Sequence, residues 1–359
     1  MDSVSRPSSD AASERVLVLI LTYNGSRYLS DCLSSLARAA GTKGTFEIVV
    51  VDNASTDDTV ALIRRDWPGV RVIENRENLG FAAGNNVGLR YAIEQRFDYV
   101  YLLNQDTVVT PDFLDEAVKV ARTDPKAAAV QSKLLLYDDK SKINTIGNEI
   151  HFLGFAYAGG YRTPDRELEV REITYASGAS VLVRVSALED IGLFDEELFL
   201  YQEDVDLGWR LRLGGYRIVL APKSVVYHKY EFTRSVSKFY YLERNRWLVL
   251  MQNYKWATCL LIAVPLLVMQ IGMLLYSLGA GWWREELKAC GYFFRRENWR
   301  KLLAKRKQVQ EHRRVPDREV VRFFTGRVEF EGLQNPVLKY VANPVFNAWW
   351  QIVRRLIWW

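Results

Sequence analysis

The stretch Tyr99-Val100-Tyr101-Leu102-Leu103-Asn104-Gln105-Asp106 combines an apolar run with a polar ending. An uninterrupted apolar run of this kind is typical of a strand that is buried on both faces of a sheet. Ligands of open α/β sheets bind beyond the carboxyl ends of the strands, where a carboxylate can hold a divalent cation against a phosphate. For this stretch alone, a loop aspartate that follows an edge strand is an equally good interpretation.

Strand-like runs alternate with amphipathic helical stretches on the N-terminal side of this stretch. The strands are predicted at residues 16–21, 46–51 and 70–73, and the helices near residues 28–39, 57–66 and 82–95. Such alternation implies right-handed βαβ crossovers, so the predicted fold is α/β with a mostly parallel, doubly wound sheet. Polar groups also end the first two strands, as Thr22-Tyr23-Asn24 and Asp52-Asn53.

The C-terminal side of the stretch has a different texture. Residues 127–185 contain β-rich pieces separated by glycines, which predicts mixed strands, loops and a surface for an acceptor. Further along, we expect a helix near residues 203–213, a strand near residues 224–227 and an amphipathic helix at residues 237–254.

The composition favours one large domain with an appendage, because the chain has 359 residues and 49% of them are apolar. Its three cysteines, Cys32, Cys259 and Cys290, are far apart in the sequence. We therefore expect neither a disulfide framework nor a zinc site, in keeping with a reducing, cytoplasmic setting. Residues 1–14 are small and polar without the apolar core of a secretory signal, which predicts a disordered tail.

Residues 256–283 carry no charged side chain and are bracketed by tryptophans. The segment is long enough to cross a bilayer, and Pro265 and Gly272 within it make a re-entrant pair of half-helices the alternative. Residues 284–359 are basic and rich in aromatic residues, which favours an anionic membrane surface over nucleic acid. Within them, residues 349–359 are typical of an interfacial amphipathic helix.

Five motifs follow one another in a characteristic order. They are Thr22-Tyr23-Asn24, Asp52-Asn53-Ala54-Ser55-Thr56-Asp57, Asn78-Leu79-Gly80-Phe81-Ala82-Ala83-Gly84-Asn85-Asn86, Asn104-Gln105-Asp106 and Tyr201-Gln202-Glu203-Asp204-Val205-Asp206. Together they resemble the inverting family 2 glycosyltransferases of GT-A fold, particularly the bacterial rhamnosyltransferase-like branch. The resemblance covers residues 15–255, which it identifies as the catalytic domain.

The resemblance implies a binding site for a UDP or dTDP sugar, in which Asp52 accepts a hydrogen bond from the pyrimidine ring. It assigns the nucleotide sugar to Thr22, Tyr23, Asn24, Asp52, Asn53, Asn85, Asn104 and Gln105. Two alternatives stay open from the residues themselves. Asp52 could cap a helix that begins near Thr56, and Asn85 and Asn86 could cap a helix or form a turn.

The resemblance also implies a metal site with Asp106 as a ligand of Mg²⁺ or Mn²⁺, hard cations that suit oxygen ligands and phosphates. His228, which follows Val225-Val226-Tyr227, matches the histidine that completes this site in relatives. The family pattern is Asp-x-Asp, and Asn104 stands at its first position here. One negative charge is therefore missing, so we expect a lower metal affinity and a less strict dependence on metal.

Glu203 and Asp204 begin a predicted helix, whose N-terminal dipole would keep a carboxylate ionised and able to act as a base. The resemblance implies that Asp204 is the catalytic base and that Glu203 positions the acceptor. The alternative is that both are first-turn capping charges. Asp206 and Arg210 are expected to be structural.

The stretch Glu243-Arg244-Asn245-Arg246-Trp247 comes close to the Gln-x-x-Arg-Trp signature of processive polysaccharide synthases. Glutamate replaces the glutamine, and the sequence does not show the several transmembrane helices of a synthase channel. We therefore predict a non-processive enzyme, with Arg244 and Arg246 near a pyrophosphate or a lipid headgroup.

The resulting hypothesis is an inverting, metal-assisted transferase on the cytoplasmic face of the inner membrane. It would move one sugar, L-rhamnose from dTDP-rhamnose or another hexose from a UDP or dTDP donor, to a polyprenyl-diphosphate-linked or lipid-anchored glycan in cell-envelope polysaccharide synthesis. The alternatives are a membrane scaffold that binds nucleotide sugars with little turnover, a polysaccharide synthase subunit and a nucleotidyltransferase. No nucleic-acid partner is expected.

Overall fold

The computed structural model describes residues 14–40, 46–230, 236–328 and 336–359, so the tail predicted at residues 1–14 falls outside the described residues except for Glu14. The strands are β1 (Val16–Thr22), β2 (Phe46–Asp52), β3 (Arg71–Glu74), β4 (Tyr99–Leu103), β5 (Thr107–Val109), β6 (Ala127–Leu136), β7 (Ile143–Thr145), β8 (Asn148–Ile150), β9 (Ala156–Ala158), β10 (Arg171–Glu172), β11 (Ser180–Arg184) and β12 (Arg217–His228). The α-helices are α1 (Ser26–Ala40), α2 (Thr59–Asp66), α3 (Gly80–Glu94), α4 (Phe113–Thr123), α5 (Val185–Ile191), α6 (Glu203–Leu213), α7 (Lys238–Asn253), α8 (Trp256–Leu261), α9 (Ala263–Ala280), α10 (Trp283–Tyr292), α11 (Arg296–Glu311), α12 (Asp317–Val321) and α13 (Asn343–Leu356).

The main sheet of the described residues has the strand order β10-β12-β6-β11-β4-β1-β2-β3, with β5 beside β12 and β7 beside β6. β3, β2, β1 and β4 run parallel to one another. β11 is antiparallel to both β4 and β6 and so joins the parallel half of the sheet to a mixed half. The predicted α/β fold is confirmed, and the mixed strands lie where the glycine-rich stretch was expected to form them.

Helices cover both faces of the sheet. α1 and α4 pack on one face through Leu29, Leu33 and Phe113. α3 and α6 pack on the other face through Leu89 and Leu207. Because both faces are covered, β4 is buried along its whole length, which explains its continuous apolar sequence.

A third apolar cluster attaches the C-terminal helices to this sheet domain. Trp209 of α6 packs edge-on against Tyr254 and Phe324, with ring centroids 4.6 and 4.7 Å away. Phe152 stacks on Trp350 of α13 at 4.8 Å. The described C-terminal helices therefore share a core with the helix that begins at Glu203.

The uncharged segment of residues 256–283 is divided into α8 and α9, which are separated at Ile262. Among the described residues, α9 is the one helix that is long and apolar enough to cross a membrane, and 22% of it is buried. The amphipathic helix predicted at residues 349–359 overlaps α13, which begins earlier and ends at Leu356, and in which Phe346, Trp350 and Val353 are buried.

Candidate active site

The polar tripeptide after β4 forms a corner between β4 and β5. The backbone N–H of Asn104 donates to the carbonyl of Ala179 at 3.0 Å, and Thr107 Oγ1 donates to the carbonyl of Asn104 at 2.7 Å. The sulfur of the buried Cys32 lies 3.8 Å from the same carbonyl. These contacts fix the backbone from which the partly exposed Asp106 side chain begins.

The pairing of β5 with β12 brings His228 beside Asp106, because His228 lies opposite Thr107 in the register. His228 Nε2 lies 3.4 Å from Asp106 Oδ1, and His228 Nδ1 lies 2.9 Å from Asn144 Oδ1. With the Asn144 oxygen as acceptor, Nδ1 carries the proton and the Nε2 lone pair faces a carboxylate oxygen. Two acceptors at this distance suit a cation between them, and an oriented histidine is the usual arrangement at a metal site.

The described residues contain no group of three or more histidine, cysteine, aspartate or glutamate side chains that could hold a metal ion. Asp106 and His228 would supply two ligands to a cation there, which would need further ones from water, an amide oxygen or the phosphates of a ligand. This incomplete set fits a metal that binds together with its nucleotide.

The loop after β1 lies directly against the corner. Gln105 Oε1 accepts hydrogen bonds from Thr22 Oγ1 at 2.5 Å and from the N–H of Tyr23 at 3.3 Å. A β-carbon on Gly25 would lie 2.2 Å from Gln105 Oε1 and 2.4 Å from Thr22 Oγ1, so only glycine permits this approach. Thr22, Tyr23 and Gln105 therefore form one wall of the site.

Asp52 ends β2 with one oxygen satisfied and one oxygen available. Its Oδ2 accepts the N–H of Ser55 at 3.0 Å, whereas its buried Oδ1 has no hydrogen-bond partner among the described residues. A buried acceptor normally has a donor, and the ring N–H of a pyrimidine is one of suitable chemistry. The capping alternative is not supported, because α2 begins at Thr59 and its N–H binds Asp57 at 3.1 Å.

Asn24 and Asn53 organise loops. Asn24 Oδ1 accepts the N–H of Thr56 at 2.8 Å. Asn53 Nδ2 donates to Asn78 Oδ1 at 2.9 Å, and Asn53 Oδ1 accepts the N–H of Leu79 at 3.0 Å. Both ends of the buried Asn53 amide therefore hold the loop before α3, and the assignment of Asn53 to nucleotide binding stays a prediction.

Asn85 and Asn86 lie inside α3, which begins at Gly80, so neither caps this helix. Asn85 Nδ2 donates to the carbonyl of Phe81 at 2.9 Å, and Asn86 bonds both backbone groups of Phe194. Both side chains are at most 2% exposed. The Asn85 amide is thus engaged within the helix, and its binding of the nucleotide stays a prediction.

Asp204 lies in the first turn of α6 and is connected to the corner through a short path. Its carboxylate accepts the backbone N–H of Gly178 and that of Val205, the latter at 2.8 Å. Gly178 precedes Ala179, whose carbonyl binds the N–H of Asn104. Gly178 and Ala179 thus connect the predicted base, Asp204, to the corner that carries the predicted metal ligand, Asp106.

Burial raises the pKa of Asp204 to about 6, although the N–H groups of Gly178 and Val205 act in the opposite direction. Desolvation outweighs the N–H donors at this group, so its pKa is raised and not lowered. Such a carboxylate is ionised at neutral pH and is a stronger base than an ordinary aspartate. Burial and the Asp204 charge raise the pKa of Glu203 further, and its buried Oε2 has no hydrogen-bond partner among the described residues.

The loop before α6 is strained. Phe199, Tyr201 and Gln202 have positive φ angles of 62°, 67° and 71°, which residues other than glycine rarely adopt. The side-chain amide of Asn245 donates to the carbonyls of Leu198, Leu200 and Tyr201 at 2.8, 2.9 and 2.7 Å. Strain of this kind persists only where surrounding contacts fix it, and it is concentrated at functional sites.

The two arginines near Asn245 serve the interior of the protein. Arg244 Nη2 donates to the carbonyls of Glu197 and Leu198 at 2.7 and 3.1 Å. Arg246 pairs with Glu243 and donates to the carbonyl of Leu153 at 2.8 Å. Both guanidinium groups are buried, so the prediction that they meet a pyrophosphate or lipid headgroup is wrong.

Residues 14–249 match the family model described as "Glycosyltransferase like family 2". The chain is a member of this family. All the site residues described above lie within the matched stretch, which ends before α8. The enzyme is therefore a glycosyltransferase with additional C-terminal helices.

Two curated relatives indicate the range of the family. The glycosyltransferase is 29% identical over 233 residues to an N-acetylglucosaminyl-diphospho-decaprenol L-rhamnosyltransferase of Mycobacterium tuberculosis, with 59% of this chain and 75% of that protein covered. It is 28% identical over 211 residues to a poly-beta-1,6-N-acetyl-D-glucosamine synthase of Staphylococcus aureus. That match covers 58% of this chain and 48% of the synthase, about half of its length.

Solved structures show the same fold at low identity. GalNAc-T7 with UDP, GalNAc and Mn²⁺ superposes with a TM-score of 0.54 and 16% identity, covering 67% of this chain and 48% of that one. The mannosyltransferase PcManGT from Pyrobaculum calidifontis, in complex with GDP-Man and Mn²⁺, superposes with a TM-score of 0.51 and 19% identity, covering 84% of this chain and 87% of that one. These likenesses show that the glycosyltransferase has the GT-A fold.

Three residues of the site were missed in the sequence. Asn144, which orients His228, lies 84 positions away from it. The backbone N–H of Gly178 donates to the Asp204 carboxylate, and the side-chain amide of Asn245 donates to carbonyls of the loop before α6. Asn245 lies in the sequence motif that resembles the synthase signature, so the signal was present but was attributed to the neighbouring arginines.

Proposed function

We propose that this glycosyltransferase is an inverting, non-processive enzyme that transfers one sugar to a lipid-linked glycan. The donor is a dTDP or UDP sugar, with L-rhamnose as the first candidate sugar, and the acceptor is a polyprenyl-diphosphate-linked or lipid-anchored saccharide of the cell envelope. The observation that carries the proposal is the hydrogen-bonded link from the Asp204 carboxylate through Gly178 and Ala179 to the corner that carries Asp106, which His228 contacts.

The choice of substrates is supported by the relatives. The mycobacterial relative is named for a diphospho-decaprenol-linked acceptor and an L-rhamnosyl group, and it is matched over 75% of its length. The available Oδ1 of Asp52 suits a pyrimidine, whose ring N–H can donate to it. An acceptor with a polyprenyl chain would place the enzyme at the inner membrane, with its catalytic domain on the cytoplasmic face.

In the proposed reaction, Asp204 takes the proton from the acceptor hydroxyl as the acceptor oxygen attacks the anomeric carbon of the sugar. The bond from that carbon to the nucleotide diphosphate breaks on the opposite face, so the anomeric configuration inverts. The hydrogen bonds from Gly178 and Val205 hold the Asp204 carboxylate in position for this transfer. Glu203, whose pKa is raised by burial and by the Asp204 charge, is proposed to position the acceptor.

Asp106 and His228 would hold a divalent cation, Mg²⁺ or Mn²⁺, whose charge would offset the negative charge of the leaving diphosphate. The two structural neighbours named above contain Mn²⁺ with a nucleotide or nucleotide sugar. Asn144 keeps the His228 ring in the orientation that directs Nε2 to this site.

The test is transfer by the purified full-length chain from radiolabelled dTDP-rhamnose to a polyprenyl-diphosphate-linked N-acetylglucosamine, with UDP and dTDP hexoses as competing donors and Mg²⁺ or Mn²⁺ present. We expect addition of a single sugar, and NMR of the product should show the anomeric configuration opposite to that of the donor. Retention of configuration, or unchanged transfer by Asp204→Asn, would overturn the proposed mechanism. Products with many added sugars would favour the synthase alternative instead.

A further inference from the structure

α9 has one face in solvent and one face on the catalytic domain. The exposed apolar side chains recur every three or four residues, which is the spacing of one helical face. They are Val264, Leu267, Val268, Ile271, Leu275 and Leu278, each at least 51% exposed. Pro265, Leu266 and Ser277 are buried on the other side.

The inner face of α9 is attached to charged groups through Gln270. Gln270 Oε1 accepts hydrogen bonds from Trp247 Nε1 at 2.7 Å and from Arg246 Nη2 at 2.9 Å, and Gln270 Nε2 donates to Glu286. Arg246 is in turn paired with Glu243. The middle of the most apolar helix therefore contacts a buried polar network that belongs to α7 and α10.

These contacts are incompatible with α9 crossing a bilayer in this conformation. Gln270 is the eighth of the 18 residues of α9 and would lie near the bilayer centre. Arg246, Glu243 and Glu286 would then lie at the same depth, and a charged side chain there costs about 3 kcal/mol on insertion scales. α7 also contacts the catalytic helix, since Asn253 Nδ2 donates to Asp206 Oδ1 at 3.0 Å. Crossing would draw the active site into the membrane.

We propose that α9 lies in the plane of an anionic lipid surface, with its outer face among the acyl chains and its inner face on the catalytic domain. The enzyme is then held on one leaflet without spanning it. An exposed apolar helix face of this extent is unusual on a soluble surface, whereas it is typical of interfacial helices. This inference rests on the membrane location given under the proposed function and specifies which helix contacts the lipid.

The charge of the adjoining residues identifies the lipid as anionic. Arg284 is the second residue of α10, Arg295 lies between α10 and α11, and Arg296 begins α11; all three side chains are exposed. Trp283 and Phe294 are exposed beside them, and Phe294 is 90% accessible. Arginines next to exposed aromatic rings suit a headgroup region that carries negative charge.

The first experiment measures binding of the purified full-length chain to vesicles, without donor or acceptor. Vesicles of phosphatidylcholine with about a third phosphatidylglycerol are compared with phosphatidylcholine alone. Ile271→Gln is compared with Val170→Gln, because the two side chains are 51% and 52% exposed and only Ile271 lies on α9. We expect about a tenfold loss of binding to anionic vesicles for Ile271→Gln, from the lost apolar burial, and none for Val170→Gln.

The second experiment measures depth in the membrane. Val264→Cys, Ile271→Cys and Leu278→Cys, each in a Cys259→Ser, Cys290→Ser background, carry a fluorophore that is quenched by spin-labelled lipids. The three positions are seven residues apart and share one face, so an in-plane helix gives one shallow depth for all of them. A spanning helix would place Ile271 about 10 Å deeper than the two ends.

Three outcomes would overturn the proposal. The first is a depth maximum at Ile271, which would show a spanning helix. The second is equal vesicle binding by Ile271→Gln and Val170→Gln. The third is a lipid-free dimer, seen by light scattering, that Ile271→Gln dissociates, since the outer face would then bind a second copy. Because no substrate is present, a failure here is distinguishable from a failure of the proposed transfer reaction.

Discussion

The side-chain amide of Asn245 donates a 2.7 Å hydrogen bond to the backbone carbonyl of Tyr201, three residues before Asp204. Together with its bonds to Leu198 and Leu200, this contact holds a loop in which several residues have positive φ angles. A loop under strain relaxes when its restraint is removed. The position of the proposed base, Asp204, therefore depends on a side chain of α7.

We predict that Asn245→Ala lowers kcat by about 100-fold, because a shift of the base by about 1 Å can have an effect of that size. Nucleotide binding should be unchanged, since Asp52 and Gln105 lie elsewhere. Gln252→Ala is the matched control: Gln252 is a buried amide of the same helix that donates to Asp195 at 3.0 Å instead. Both variants should lose stability, and an equal loss of kcat in both would contradict a positioning role for Asn245.

Asp204→Asn should lower kcat by about 10²–10⁴-fold, the usual contribution of a general base. Because the folded-state pKa of about 6 lies above the unfolded value, the charged carboxylate destabilises the fold above pH 6 and has no such effect below about pH 4. The variant should therefore be more stable than the wild type at pH 8, by on the order of 3 kcal/mol. Urea unfolding at pH 8 and at pH 4 measures this difference, which should vanish at the lower pH.

The same raised pKa predicts the pH dependence of transfer. As the pH falls through about 6, Asp204 takes up a proton and can no longer accept one from the acceptor. The kcat/KM of the wild type should therefore decline on the acid side with a midpoint near 6. A profile that stays flat down to pH 4.5 would exclude Asp204 as the base.

Removal of a ligand should weaken metal binding. Asp106→Asn should raise the Mn²⁺ concentration for half-maximal activity by more than Asn144→Leu does. Asn144→Leu only frees the His228 ring, and we expect it to raise this Mn²⁺ concentration about 10–100-fold. Thermal shift with Mn²⁺ and nucleotide gives a readout that does not depend on turnover. A chain that is equally active in EDTA would contradict a metal requirement.

Asp52→Ala should weaken donor binding with a smaller effect on kcat, because the residue is proposed to contact the pyrimidine ring of the nucleotide and not the reacting carbon. The expected rise in donor KM is about 10–100-fold for the loss of a hydrogen bond to a charged group. Asp58→Ala, at an exposed aspartate near the start of α2, should leave KM unchanged. Equal competition by GDP and dTDP in the wild type would argue against pyrimidine recognition by Asp52.

The parallel half of the fold was predictable because its strands are continuous apolar runs. β4 was predicted with its observed bounds, and the start and end of α6 were also correct. The pairing of β5 with β12, which brings His228 to Asp106, was not predicted. It joins residues more than a hundred positions apart, and the family resemblance alone suggested that the two side chains meet.

The environment of the polar side chains was harder to predict than their presence. Asn53 and Asn85 occur in motifs that suggest a ligand site, yet the loops and helix around them use their amides. For α9, the hydropathy of residues 256–283 indicates length and composition but not the partners of Gln270. Those partners come from α7 and α10, so only the folded chain shows that one face of the helix is already in use.

Trp209 lies five residues after Asp204 on α6 and packs against Tyr254 and Phe324, so one helix carries the base and also anchors the C-terminal region. This shared use restricts how the enzyme can evolve. A lineage that replaces α8–α13 to reach a different acceptor or membrane must keep an apolar surface for this indole. Otherwise the helix shifts and the chemistry is lost together with the old attachment.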